Sequence, residues 1–143
     1  MFAPSQSDVR RFFCATQAKR LAGAPLTPME TLAAGWIAEH PEYHADLADV
    51  EAALAARFDV ESGRTNPFLH LSMHLTITEQ VAIDQPSGIR QAHELLAARL
   101  GSAHEAHHTI MECLGEMIWA SQRSGLPPDG PAYIDAVRRR ATT

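Results

Sequence analysis

Thr27-Pro28-Met29-Glu30 reads as a capping box with proline at the first helical position, Asn66-Pro67 repeats the cap-then-proline signal, and Ser102-Ala103-His104-Glu105 is a second box. Helix starts are therefore written into the chain at three separate places. Stops match them, because Gly23, Gly101 and Gly125 each follow a run with helical spacing, where a left-handed glycine closes a helix. With Ser7 as cap, a first helix runs from Asp8 to about Ala22 and puts Val9, Phe12, Phe13 and Thr16 on one face. A second carries Leu32, Ala33, Trp36 and Ile37 and ends near His40, since Pro41 disfavours α conformation in the residue before it. A third, with Leu47, Val50, Leu54 and Phe58 three or four apart, fades into the polar loop Glu61-Ser62-Gly63-Arg64-Thr65. A long apolar helix follows from Phe68 to about Asp84 and is broken by Gln85-Pro86-Ser87-Gly88. Helices from Ile89 to Leu100 and from Ser102 to Ser124 come next. After Pro127-Pro128 a short helix from Ala132 to Arg140 is expected to be the least firmly held. No period-2 run of β-branched residues occurs. The pattern predicts one all-α domain over residues 1–143, a compact bundle of six to seven helices with two long central ones.

The chain has 143 residues, 45% of them hydrophobic, enough to remove roughly 70% of the unfolded surface from water without disulfides or metal clips. A metal is therefore not required for folding. Net charge is -5, from 12 Lys+Arg against 17 Asp+Glu, which argues against a nucleic-acid partner held by a basic stripe. Arg138, Arg139 and Arg140 form the one basic run, and in a last helical turn they offset the helix dipole. No stretch approaches the 18 apolar residues of a membrane span, and Met1-Phe2-Ala3-Pro4-Ser5-Gln6-Ser7 has neither a basic n-region nor an apolar h-region. A cytoplasmic location is expected, with no membrane partner. Cys14 and Cys113 form no C-x-x-C pattern and read as free, buried thiols.

Eight histidines stand out in so short a chain. His70 and His74, and His104 and His108, are H-x-x-x-H pairs on two long helices, and residues four apart stack on one face, so each pair can chelate an ion. Helices of a bundle can bring two such pairs together. Glu112 extends the second face by a turn and could add an oxygen, and His44 is a further candidate donor. His40-Pro41-Glu42-Tyr43-His44 is a third possible source of donors, but Pro41 breaks the helix there and a capping or turn role suits His40 at least as well. The candidate metal ligands are thus His70, His74, His104, His108, Glu112 and His44. That mix suits zinc, or alternatively iron, copper or nickel, with no organic cofactor.

At about 100° per residue, His70, His74, Ile77 and Val81 share a stripe while Glu79 lies opposite, so a bridging carboxylate from that helix is not expected. On the later helix His104, His108, Glu112, Gly115 and Trp119 border the apolar stripe of Ile110, Met111, Leu114 and Ile118, and Gly115 would admit a close neighbour. His107 points into the apolar stripe, where a hydrogen-bonded core histidine is the commoner outcome. His93 is expected to be isolated at the surface. His104-Glu105-Ala106-His107-His108 also matches H-E-x-x-H, the zinc-protease pattern with Glu105 as general base. Such enzymes need a strand to align a peptide, and none is predicted, so Glu105 reads more simply as the partner of Ser102 in the capping box. Met73, Met111 and Met117 read as core filler.

The segments Asn66-Pro67-Phe68-Leu69-His70-Leu71-Ser72-Met73-His74-Leu75 and Ile83-Asp84-Gln85-Pro86-Ser87-Gly88-Ile89-Arg90 resemble the bacterial family known as domain of unknown function 1841. Met1-Phe2, Asp8-Val9-Arg10-Arg11-Phe12-Phe13, His40-Pro41-Glu42-Tyr43-His44 and Met111-Glu112-Cys113-Leu114 share the resemblance, which covers nearly the whole chain. It implies a small cytoplasmic bacterial protein and carries no established activity. Histidines on bundle helices are also similar, in ligand type, to hemerythrin-like and other helical metal proteins, an analogy of architecture alone.

Two readings follow. In the first the bundle binds a transition metal, and if catalytic it is a metal-dependent hydrolase or a redox protein. In the second it is a metal-free interaction module whose histidines fix helix register, with an unknown protein partner or a second copy of the chain on an exposed face. A pH-responsive element is a third and weaker reading. Trp36 and Trp119 suit a core or an interface equally.

Overall fold

Side-chain caps decide where the helices of this computed structural model begin; it describes residues 5–58 and 65–142. Helix α1 spans Gln6–Ala22. Its cap is Ser5 rather than Ser7, because Asp8 stands three residues on and completes a reciprocal box with Ser5. Gly23, with φ of 68°, closes it as expected. Helix α2 (Pro28–Ala38) starts at Thr27, whose hydroxyl oxygen accepts from the Glu30 amide while the Glu30 carboxylate accepts from the Thr27 amide. A 3-10 turn follows at Pro41–Tyr43. Helix α3 covers only Val50–Ala55, capped by Asp49, so the longer third helix is not formed. Leu47 is buried all the same, from the turn before α3. Of the polar loop expected at 61–65, residues 61–64 lie outside the described residues.

Helix α4 (Pro67–Ile83) begins where Asn66 Oδ1 accepts from the Phe68 and Leu69 amides. Helices α5 (Ile89–Leu100), α6 (Ala103–Ser124) and α7 (Gly130–Thr142) complete an all-helical chain, with no strand among the described residues. None of these helices is long and apolar enough to cross a membrane. The chain forms two units, 1–75 and 76–143, with the boundary inside α4.

In the first unit Phe13, Cys14, Ala33, Ile37, Leu47, Ala53, Phe68, Leu71 and Leu75 form the core. Each large side chain buried there contributes about 1.5–3 kcal/mol. Two polar links set the helices against one another. The Lys19 ammonium donates to the Glu30 carboxylate at 2.8 Å, joining α1 to the first turn of α2. Arg10 donates to the Ala53 and Ala56 carbonyls at the end of α3, both at 2.8 Å.

The second unit buries Ile89, Ala92 and Leu96 of α5, Ile110, Met111 and Leu114 of α6, and Tyr133, Ile134 and Val137 of α7. The last helix is therefore longer than predicted and firmly held. Tyr133 donates to Gln80 Oε1 at 2.7 Å. Arg140 reaches across to α6, donating to the Thr109 carbonyl and pairing with Glu112 and Glu116, so its role extends beyond the dipole of its own helix. Asp84 Oδ1 accepts from the Gly88 and Arg90 amides, and the Arg90 side chain donates to the Val81 and Ala82 carbonyls at the end of α4. Cys14 and Cys113 are free and buried, as predicted.

Candidate metal centre

Pro41 forces the residue before it out of the helical region, and His40 obeys with φ of -128° and ψ of 64°. That break turns the His40 ring back beneath α2, where it is 2% exposed. Its Nδ1–H donates to the Trp36 carbonyl at 2.7 Å. A carbonyl only accepts, so Nδ1 carries a proton, and the tautomer this bond selects is the one that leaves the Nε2 lone pair available.

That lone pair meets the pair on α4. His40 Nε2 lies 3.1 Å from His70 Nε2 and 3.3 Å from His74 Nε2, and the last two are 3.2 Å apart. The rings splay around this point, with interplanar angles of 72° for His40–His70, 77° for His70–His74 and 52° for His40–His74. Aromatic walls hold them. Trp36 stacks on His74 at 3.9 Å and 13°, Tyr43 stacks on His40 at 5.3 Å and 3°, and Tyr43 meets His70 edge-on at 5.7 Å.

Each Nε2 is either an N–H donor or a lone-pair acceptor. Three such atoms cannot satisfy all three sides of a triangle by hydrogen bonding, because one side always joins two donors or two acceptors. A cation facing three lone pairs satisfies every one. For nitrogen ligands at roughly 2.0–2.1 Å, tetrahedral geometry puts neighbouring ligand atoms about 3.3–3.4 Å apart. The observed triangle is within a few tenths of an ångström of that spacing.

The remaining candidates are divided between the two units. His44 belongs to the first, and its Nε2–H donates to the Ile37 carbonyl at 2.9 Å, outside the trio. In the second unit His104 and His108 are half-buried on α6 with ring centroids 4.5 Å apart, and each offers a ligand atom suited to a metal. Ser102 Oγ accepts from the Glu105 amide, and Glu105 itself is exposed. Glu112 is 71% exposed and pairs with Arg140 at 3.2 Å. Glu79 is exposed, as its helical phase requires.

His107 is buried as predicted, and burial, then the neighbouring His93, His104 and His108, pushes its pKa down to about 3. His93 is neither isolated nor on the surface. It is half-buried, meets His107 edge-on at 5.2 Å, and burial lowers its pKa. Gly115 has no atom within 4 Å of the position a Cβ would take, so the close approach expected there is not made. Ile118 and Trp119 are exposed, and the buried stripe of α6 ends at Leu114.

Sequence reasoning paired His70 with His74 on one helix face and favoured a capping or turn role for His40, whose Nε2 the structure sets within 3.3 Å of both. The available signal was Trp36, four residues earlier, whose carbonyl a histidine leaving a helix can reach.

These features define an all-helical protein with a cluster of buried histidines that could hold a metal ion. The family model described as domain of unknown function (DUF1841) matches residues 5–139, and the chain belongs to that family. No curated protein and no solved structure matches it.

Proposed function

We propose that the protein binds a transition metal ion, zinc first and iron, copper or nickel as alternatives, through Nε2 of His40, His70 and His74. The observation that carries this reading is the triangle of three imidazole nitrogens 3.1 to 3.3 Å apart. A neutral, all-nitrogen donor set suits these metals and disfavours magnesium and calcium, which take oxygen ligands. The Trp36 carbonyl plays the part of the outer partner that orients a metal-ligating imidazole. His104 and His108 stay in the proposal as a chelating pair in their own right. Two free, buried thiols fit a reducing compartment and support a cytoplasmic location. A site with room for water would acidify it for hydrolysis, whereas a filled shell would make the ion structural or regulatory.

Elemental analysis of natively purified and reconstituted protein tests the proposal, beside His70→Ala/His74→Ala and His104→Ala/His108→Ala variants. Stoichiometric metal that disappears from the first variant supports it. A single ion lost from both variants assigns both pairs to one site, and two independent ions assign them to separate sites. A folded, helical protein that takes up none of zinc, iron, copper or nickel overturns it, and returns the histidines to the role of buried polar contacts in an interaction module.

A further inference from the structure

Arg10 leaves 8% of its surface exposed, and no carboxylate among the described residues pairs with it. Its Nη1 serves the Ala53 and Ala56 carbonyls, and the guanidinium carbon lies 5.4 Å from the ring centres of both Phe58 and Phe68. A guanidinium has five N–H donors in a planar fork. Those on Nε and Nη2 have no acceptor among the described residues. Burying a positive charge without a counter-charge is costly, and two neutral carbonyls and two ring faces offset only part of it.

Arg10 lines a cavity of about 320 Å³. Gln6 and Val9 come to it from the first turn of α1, and Phe68 and Leu69 from the first turn of α4. Two 17-residue helices therefore bring their N-terminal turns to one hollow, where backbone dipoles favour negative charge. Asn66 also lines it, and with Oδ1 engaged by the α4 amides its NH2 group is the donor left to offer. The acid of the α1 first turn, Asp8, is turned to the Ser5 amide and to Arg11. Val9, Phe68 and Leu69 give the hollow apolar walls.

We infer that this cavity binds the carboxylate of a small organic acid with an apolar body, the carboxylate on the free edge of Arg10 and the apolar part against Val9, Phe68 and Leu69. In a chain of net charge -5 this is a local reversal of sign. The volume is at the small end of ligand pockets, which fits a short aliphatic acid.

Titration of the full chain with sodium octanoate, followed by nuclear magnetic resonance at the Arg10 Nε–H signal, tests this. Saturable shifts are expected with octanoate and not with octylammonium, whose charge is opposite. Leu69→Glu, a change at a 58% exposed position on the rim, should weaken octanoate at least tenfold by like-charge repulsion. Leu21→Glu, at the far end of α1, should leave it unchanged. Arg10→Gln should abolish binding, and Leu69→Glu keeps the test decisive if that variant does not fold. The inference is overturned by no saturable shift up to about 10 mM octanoate, the weak end of ligand affinity, or by equal binding of octanoate to native protein and Leu69→Glu. Shifts produced by inorganic phosphate and not by octanoate would also overturn it, and would assign the cavity to inorganic anions.

Discussion

The Trp36 carbonyl accepts a 2.7 Å hydrogen bond from His40 Nδ1, and that bond decides which nitrogen of a buried ring is left to face His70 and His74. Trp36 thus acts twice on the same cluster, through its backbone on His40 and through its ring on His74. A ligand oriented in this way loses little freedom when an ion binds.

Replacing His40 by Gln should weaken metal binding by more than about 100-fold, beyond the 10- to 100-fold typical of losing an outer partner. His44→Ala and Glu112→Ala should leave affinity nearly unchanged, because one side chain serves the Ile37 carbonyl and the other an exposed pair with Arg140. Competition against a chromophoric chelator measures all three.

Trp36 stacks on His74 at 3.9 Å, so an ion on His74 should alter its fluorescence. Trp119 is 59% exposed and would mask the change, and Trp119→Phe removes that background. In this variant copper(II) should quench emission saturably at one equivalent, and His74→Ala should abolish the saturable phase.

Gly88 adopts φ of +98°, and a Cβ there would come within 2.8 Å of Arg138 Nη2 and 3.3 Å of Ile134 Cγ2. Gly88→Ala should cost roughly 1–3 kcal/mol. Gly35, inside α2 with nothing within 4 Å of its Cβ position, should behave oppositely, Gly35→Ala stabilising by about 0.5–1 kcal/mol. Urea unfolding midpoints of the two variants check both signs.

His107 binds its proton more weakly in the fold than in the unfolded chain, with a folded pKa of about 3 against 6.5. Its contribution is complete above pH 6.5 and is lost as pH falls toward 3, at up to about 1.4 kcal/mol per pH unit. In metal-free protein, His107→Leu should gain on the native chain as pH drops from about 7 to 5, where ordinary carboxylates have scarcely begun to protonate. Urea unfolding at several pH values measures that gap, and a constant gap would show that His107 is not held neutral.

Caps and stops were legible because each is settled within four residues. Thr27 with Glu30, Asn66 before Pro67, and Gly23, Gly101 and Gly125 all stand where the local pattern put them. Helix lengths were less so. Leu47 and Phe58 carry helical spacing yet lie outside α3, because a six-residue helix has too few internal hydrogen bonds to set its own length and ends where packing against α1 ends it. α7 shows the reverse, a short pattern extended by Tyr133, Ile134 and Val137 in the core and by Arg140 on α6.

The i,i+4 spacing of His70 and His74 determined by itself that two imidazoles share a face of α4, since that geometry belongs to any helix. What stands opposite them was decided only by tertiary structure. His40 is 30 residues from His70 and 34 from His74. Pro41 states that the chain breaks beside it, and nothing in the sequence states where the ring then goes. The packing of the end of α2 against α4 turns a pair of histidines into three nitrogens within 3.3 Å.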